Sequence, residues 1–137
     1  MKIYFSGSIR GGREDAYIYE NIISLLKNYG EVLTEHIGDI KLPILGEGNG
    51  SDDENIYERD MDWLRSCDIL VAEVTVNSNG VGYEIGYADS LKKKVVCLFR
   101  ESGKTNLSGM INGNKNIKVY KYKDLSEIPN ILEELFK

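Results

Sequence analysis

One histidine, one tryptophan, two cysteines and two prolines are thin material for a chain of 137 residues. Cys67 and Cys97 lie far apart, each in or beside a short apolar run, and His36 has no second histidine to join. A zinc or iron–sulfur site therefore has no ligand set, so neither metal nor redox cofactor is expected. The two thiols read as reduced core residues, which fits a cytoplasmic protein rather than a disulfide scaffold. No apolar run is long enough to span a bilayer. Met1-Lys2-Ile3-Tyr4-Phe5 is too short in apolar content for a signal peptide. Basic residues are in deficit, 17 against 22 acidic, for a net charge of −5. That excludes a broad cationic surface for a nucleic-acid polymer but leaves room for one local anion site.

What is present is an ordinary core-forming composition, 42% apolar, at a length that suits one domain over residues 1–137. Apolar runs that read as strands cover 2–6, 31–34, 67–74, 95–99 and, more weakly, 117–120. Between them lie helical stripes: Tyr19, Ile22, Ile23 and Leu26; Ile56, Trp63 and Leu64; Val81, Ile85, Ala88 and Leu91; Ile128, Ile131, Leu132 and Leu135. Gly30 is placed to stop the first helix, and Ser51-x-x-Glu54 has the form of a capping box for the second. Lys92-Lys93-Lys94 reads as a solvated helix end, 100–104 as polar loop, and 106–111 as a short helix carrying Ser108. Alternation of this kind predicts an α/β three-layer sandwich, Rossmann-like or flavodoxin-like, on a five-stranded parallel sheet. The longest irregular segment, 38–50, holds four glycines and Pro43, the composition of a binding loop or of a surface excursion.

The turn from the third strand into the third helix, Asn77-Ser78-Asn79-Gly80-Val81-Gly82-Tyr83-Glu84, organises the chain. Ligands in open α/β sheets bind at such carboxyl ends. Glu84 is expected in the first turn of that helix, where the dipole favours an ionised carboxylate. Asp60 falls on the apolar side of the second helix, between Ile56 and Trp63, where burial raises a carboxyl pKa and suits it to proton handling. A lone inward aspartate is more often a capping or hydrogen-bonding residue. The first loop, Gly7-Ser8-Ile9-Arg10-Gly11-Gly12, has neither dinucleotide nor triphosphate spacing, yet Ser8 and Arg10 before a helix suit one phosphate. Tyr4 by position alone is a packing residue. Two carboxylates converging at one sheet end are the pair that glycosidic cleavage uses.

With these residues in view, the chain resembles a known family. Phe5-Ser6-Gly7-Ser8-Ile9-Arg10-Gly11-Gly12-Arg13-Glu14-Asp15 resembles the opening motif of the 2′-deoxynucleoside 5′-monophosphate N-glycosidases, within the nucleoside 2-deoxyribosyltransferase superfamily. Val32-Leu33-Thr34-Glu35-His36, Asp60-Met61-Asp62-Trp63-Leu64, Val71-Ala72-Glu73-Val74-Thr75, Ser78-Asn79-Gly80-Val81-Gly82-Tyr83-Glu84-Ile85-Gly86, Cys97-Leu98-Phe99-Arg100 and Leu107-Ser108-Gly109-Met110-Ile111 follow in the same order. The resemblance implies that Glu84 is the nucleophile at C1′, Asp60 the second catalytic carboxylate and Tyr4 the tyrosine beside both. It assigns Ser8, Arg10, Gly12, Ser78 and Gly80 to the 5′-phosphate, and Ile9, Asp60 and Glu84 to sugar and base. It also implies a homodimer in which Ser108 reaches the partner's phosphate. Ser6 stands where a cysteine is frequent, and 38–50 departs from the family where the base could be read, so base preference stays open.

The implied reaction is hydrolysis of a deoxynucleoside 5′-monophosphate to 2-deoxyribose 5-phosphate and free base, through a covalent glutamyl intermediate and without a cofactor. Two other readings remain: a nucleoside 2-deoxyribosyltransferase, and a non-catalytic nucleotide sensor. The Pro-Gly-Gly-x-Gly-Thr-x-x-Glu signature of ribonucleotide phosphoribohydrolases is absent from the sequence.

Overall fold

A computed structural model describes residues 1–9, 15–38 and 53–137. Five parallel strands form one sheet in the order β2-β1-β3-β4-β5. They are β1 (Lys2–Ser6), β2 (Glu31–Val32), β3 (Ile69–Glu73), β4 (Lys94–Arg100) and β5 (Ile117–Tyr122). The helices are α1 (Ala16–Leu26), α2 (Asp53–Ser66), α3 (Asn79–Ser90), α4 (Gly109–Asn112) and α5 (Ile128–Leu135). This is the flavodoxin strand order, and its switch point lies between β1 and β3, where Ser6 pairs with Ala72.

The three layers follow from strand alternation. Ile3, Phe5, Ile69, Val71, Val96 and Leu98 face α1 and α5 and form one core with Ile18, Tyr19, Ile22, Leu26, Ile128 and Leu132. Tyr4, Leu70, Ala72, Val95, Cys97 and Phe99 face the other way, onto Met61, Leu64, Val81, Ile85 and Ala88. Both cysteines are free and buried. Among the described residues no helix is long and apolar enough to cross a membrane.

Several local expectations need correcting. The edge strand β2 stops at Val32, two residues short of the expected Thr34. Leu33 N still donates to Ile3 O, and the Thr34 hydroxyl then accepts from Phe5 N at 2.9 Å and donates to Phe5 O at 2.6 Å. A side chain thus replaces the last rung of the ladder. Gly30 does not end α1, which closes at Leu26 with Lys27 still in the right-handed region. Gly30 instead passes so close to Met1 that a Cβ would stand 2.5 Å from the Met1 carbonyl oxygen. Lys93 is no idle surface charge: its ammonium donates to the carbonyls of Arg65 and Cys67, the unsatisfied end of α2. Lys94 opens β4, and β4 runs through Arg100, which the composition placed in loop. The capping-box Ser51 lies outside the described residues, as does 39–50 of the long irregular segment.

Candidate active site

A cavity of about 650 Å³ opens at the carboxyl end of the sheet on the α2/α3 face. Its described walls come from β1 and the turn after it (Phe5, Ser6, Gly7, Ile9), from Ile37 after β2, from α2 (Asp53, Ile56, Tyr57, Arg59, Asp60, Met61) and from the entry to α3 (Asn77 to Val81, Tyr83, Glu84). The β1/β3 switch point therefore lies at its floor.

Glu84 is held from β1 by two hydroxyls. The Tyr4 hydroxyl donates to its Oε2, and the Ser6 hydroxyl donates to its Oε1 at 2.9 Å. Tyr4 and Ser6 are two apart on β1, so both side chains leave the same face of the sheet. Both are buried, which fixes their rotamers and hence the carboxylate they hold. Glu84 is not in the first turn of α3. Ser78 caps the helix, its hydroxyl accepting from Val81 N at 3.3 Å, so α3 begins at Asn79 and Glu84 falls in the second turn. The dipole expected to keep it ionised is weak that far along. Burial dominates and pushes its carboxyl from 4.5 up to about 8. The Tyr4 and Ser6 hydroxyls work in the other direction by stabilising the anion, so the group is poised near neutrality rather than fixed in one state.

Asp60 lines the same cavity. Met61 and Leu64 form the buried stripe of α2, while Ile56, Trp63 and Asp60 are half-buried along its border. Asp60 is thus not set among apolar groups as expected. Its Oδ1 accepts from Arg59 Nε and Nη2 at 3.0 and 2.9 Å. Arg59 lies 4.7 Å over the Trp63 ring and 3.4 Å from His36 Nε2. Among the described residues a cation lies beside Asp60, while Glu84 is held by hydroxyls, so the two carboxyls have different environments.

Ser78 and Gly80 line the cavity at the N-terminus of α3. Ser8 is fully buried, and its amide donates to the Tyr19 hydroxyl at 3.1 Å; Gly7 and Ile9 form the wall on either side of it. Arg10 and Gly12 lie outside the described residues. Ser108 is exposed, caps α4 rather than lying within it, and does not line this chain's cavity. Ser6, Arg59 and the exposed pair Tyr57 and Tyr83, edge to face at 6.4 Å between ring centres, were not singled out as site residues from the sequence. The period of two from Tyr4 was the signal for Ser6; nothing in the pattern distinguishes Arg59 from the solvated charges around it.

Residues 3–121, most of the chain, match the family model described as nucleoside 2-deoxyribosyltransferase. The chain belongs to the nucleoside 2-deoxyribosyltransferase family. It is 48% identical to the 5-hydroxymethyl-dUMP N-hydrolase of Esox lucius, over all of this chain and 97% of that protein. It is 44% identical to the 5-hydroxymethyl-dUMP N-hydrolase of Homo sapiens, over 98% of this chain and 79% of that one. The CMP N-glycosidase of Clostridium botulinum superposes with a TM-score of 0.67 over 97% of this chain and 99% of its own, at 22% identity, which bears on the fold. Within the family, then, the resemblance is to its N-hydrolases, as the opening motif indicated.

Proposed function

We propose that this protein hydrolyses the N-glycosidic bond of 2′-deoxynucleoside 5′-monophosphates, releasing 2-deoxyribose 5-phosphate and a free base. The observation that carries the reading is Glu84, held by two hydroxyls of β1 in a cavity that also presents Asp60. The names of the similar N-hydrolases supply the substrate class. Glu84 passes its proton to Asp60 and attacks C1′; the C1′–N bond breaks as the C1′–O bond forms, and Asp60 delivers that proton to the departing base. Water then attacks C1′ with Asp60 taking its proton, the ester breaks, and Glu84 returns. The absent 2′-hydroxyl makes positive charge at C1′ easier to bear. Tyr4 and Ser6 aim the nucleophile, and Ile9 contributes to the sugar and base side. The phosphate is held by Ser8, Arg10, Gly12, Ser78 and Gly80, with Ser108 from a partner in a homodimer. That remote grip positions C1′ against Glu84. The protein works as a single domain without metal or redox cofactor, in the cytoplasm. Bases modified at C5 of uracil are the first to try.

The test is base release from a deoxynucleoside 5′-monophosphate, its nucleoside and the matching ribonucleotide. Activity is expected with the first and little with the other two. Glu84→Ala should abolish it, and Asp60→Asn should lower kcat by roughly 10²–10⁴-fold. Strong base exchange on the nucleoside would make the protein a transferase, and tight monophosphate binding without base release would make it a sensor. Methanol in the reaction should give the retained methyl glycoside if the glutamyl ester forms.

A further inference from the structure

The exposed pair Tyr57 and Tyr83 has no part in the chemistry above, yet both line the cavity that holds Glu84 and Asp60. Asp53, Ile56, Tyr57, Asp60 and Met61 line it from α2, which is the spacing of one helical stripe. Tyr57 therefore shares its side of α2 with Asp60, about one turn away. On α3, Tyr83 immediately precedes Glu84. The two rings meet edge to face, 6.4 Å between centres and 70° between planes. The Tyr57 phenol is pushed above its ordinary range by a hydrogen bond with the Tyr83 side chain. An aromatic pair at the cavity wall thus joins the helix that carries Asp60 to the helix that carries Glu84.

The fold itself makes little use of these rings. Tyr57 is 47% and Tyr83 58% exposed, whereas Tyr4, Tyr19 and Tyr122 are buried. Among the described residues neither ring belongs to, or packs against, either of the two cores. An edge-to-face contact engages the rim of one ring and one face of the other, so further ring face is left to be covered. A tyrosine carries a large apolar surface and an electron-rich face, and a flat aromatic ligand covers both.

Position says which part of the ligand that is. A carboxyl that protonates a departing base must come within hydrogen-bond reach of it. A ring one helical turn from Asp60, on the same cavity wall, falls beside that base. We propose that Tyr57 is a base-contacting residue, presenting its ring to the face of the nucleobase, and that Tyr83 is the positioning residue that holds this ring. The inference rests on the proposed function for the class of ligand only. Stacking of this kind accepts any base, because every base has a π-face; it separates ligands that carry a base from those that do not.

Binding is measured by titration calorimetry in Glu84→Gln protein, which lacks the nucleophile, with dUMP, dAMP and 2-deoxyribose 5-phosphate as ligands. Tyr57→Leu, Tyr57→Phe and Tyr83→Leu are each added to it. Tyr57→Leu is expected to weaken both nucleotides about tenfold and the sugar phosphate by less than about twofold. Tyr57→Phe keeps the ring and should stay within about twofold for all three ligands, while Tyr83→Leu should weaken the nucleotides by a smaller factor than Tyr57→Leu. Equal loss for all three ligands, loss for none, or a Tyr57→Phe loss as large as that of Tyr57→Leu would overturn the proposal. So would a change of oligomeric state in Tyr57→Leu by light scattering, which would assign the pair to a contact between copies. Base release by the wild type is scored separately. Nucleotide binding without release defeats the hydrolysis and leaves this inference standing on the calorimetry. Release by the wild type, with nucleotide affinity indifferent to Tyr57→Leu, defeats this inference alone. Absence of nucleotide binding in both the wild type and the Glu84→Gln protein overturns both.

Discussion

The Tyr4 hydroxyl donates to Oε2 of Glu84, joining the middle of β1 to the second turn of α3 across 80 residues. Two consequences follow for catalysis. The carboxylate oxygens are aimed by groups on a buried strand, and the anion has a donor that survives the exclusion of water. Tyr4→Phe should lower kcat by about 10²-fold, the scale of one lost donor to a charged group at a reaction centre. It should also move the acid limb of the kcat/KM profile to higher pH, because the anion is less stable without the hydroxyl. An unmoved limb would leave Tyr4 as a packing residue.

Burial raises the Glu84 carboxyl from 4.5 to about 8, and this has a signature in stability. Below about pH 4.5 the group is protonated in both folded and unfolded chains, and no difference arises. Between about 4.5 and 8 the unfolded chain releases the proton that the folded chain retains, so stability falls as pH rises. Glu84→Gln lacks this liability. Its advantage in Tm over the wild type should grow across that window and level off above it. Each pKa unit corresponds to about 1.4 kcal/mol, so the span is on the order of a few kcal/mol. A pH-independent difference would show that the carboxyl is ionised in the fold at neutral pH. Base release should fall on the acid side of the same region, since the proposed nucleophile is the Glu84 anion.

The strands and helices were legible because each depends on short-range pattern, and the same pattern put Glu84, Asp60 and Ser78 beside the cavity that they line; Tyr4, by position a packing residue, was singled out through the family resemblance alone. Period-two alternation placed β1, β3 and β4, and helical stripes placed α1, α3 and α5. The errors share a cause as well. The first turn of α3 was misjudged because the apolar stripe begins at Val81 while the cap is Ser78, and burial rather than the dipole governs Glu84. Arg100 read as loop because a charge ends most strands, whereas its partner Asp15 is 85 residues away and invisible to any window. Gly30 carried a helix-stop signal for a reason that lies at Met1.

Gly30 therefore supports a prediction unlike that for a capping glycine. A methyl group there would meet the Met1 carbonyl oxygen at 2.5 Å, and backbone cannot swing aside as a side chain can. Glu31 N donates to that same carbonyl, so the clash falls on the pairing of β2 with β1. Gly30→Ala should cost about 1–3 kcal/mol in denaturant unfolding, the scale of overpacking. A cost of a few tenths would show that the edge of the sheet yields easily.

Ser108 offers the sharpest test of assembly. It is exposed, its hydroxyl accepts from Met110 N at 3.2 Å, and Met110 beside it is 86% exposed, an apolar side chain left in water by a single chain. The serine does not line the cavity of its own chain, so a role at the phosphate requires a second copy. In a twofold dimer each site would then combine one chain's Glu84 with the other chain's Ser108. Ser108→Ala and Glu84→Ala are each expected to be impaired alone. In a mixed dimer one site has both mutations and the other has neither. Random exchange makes half of the dimers mixed, with one intact site in two, so mixing should recover about one quarter of wild-type activity. No recovery, with exchange verified by mass spectrometry of the intact complex, would place Ser108 outside its neighbour's site.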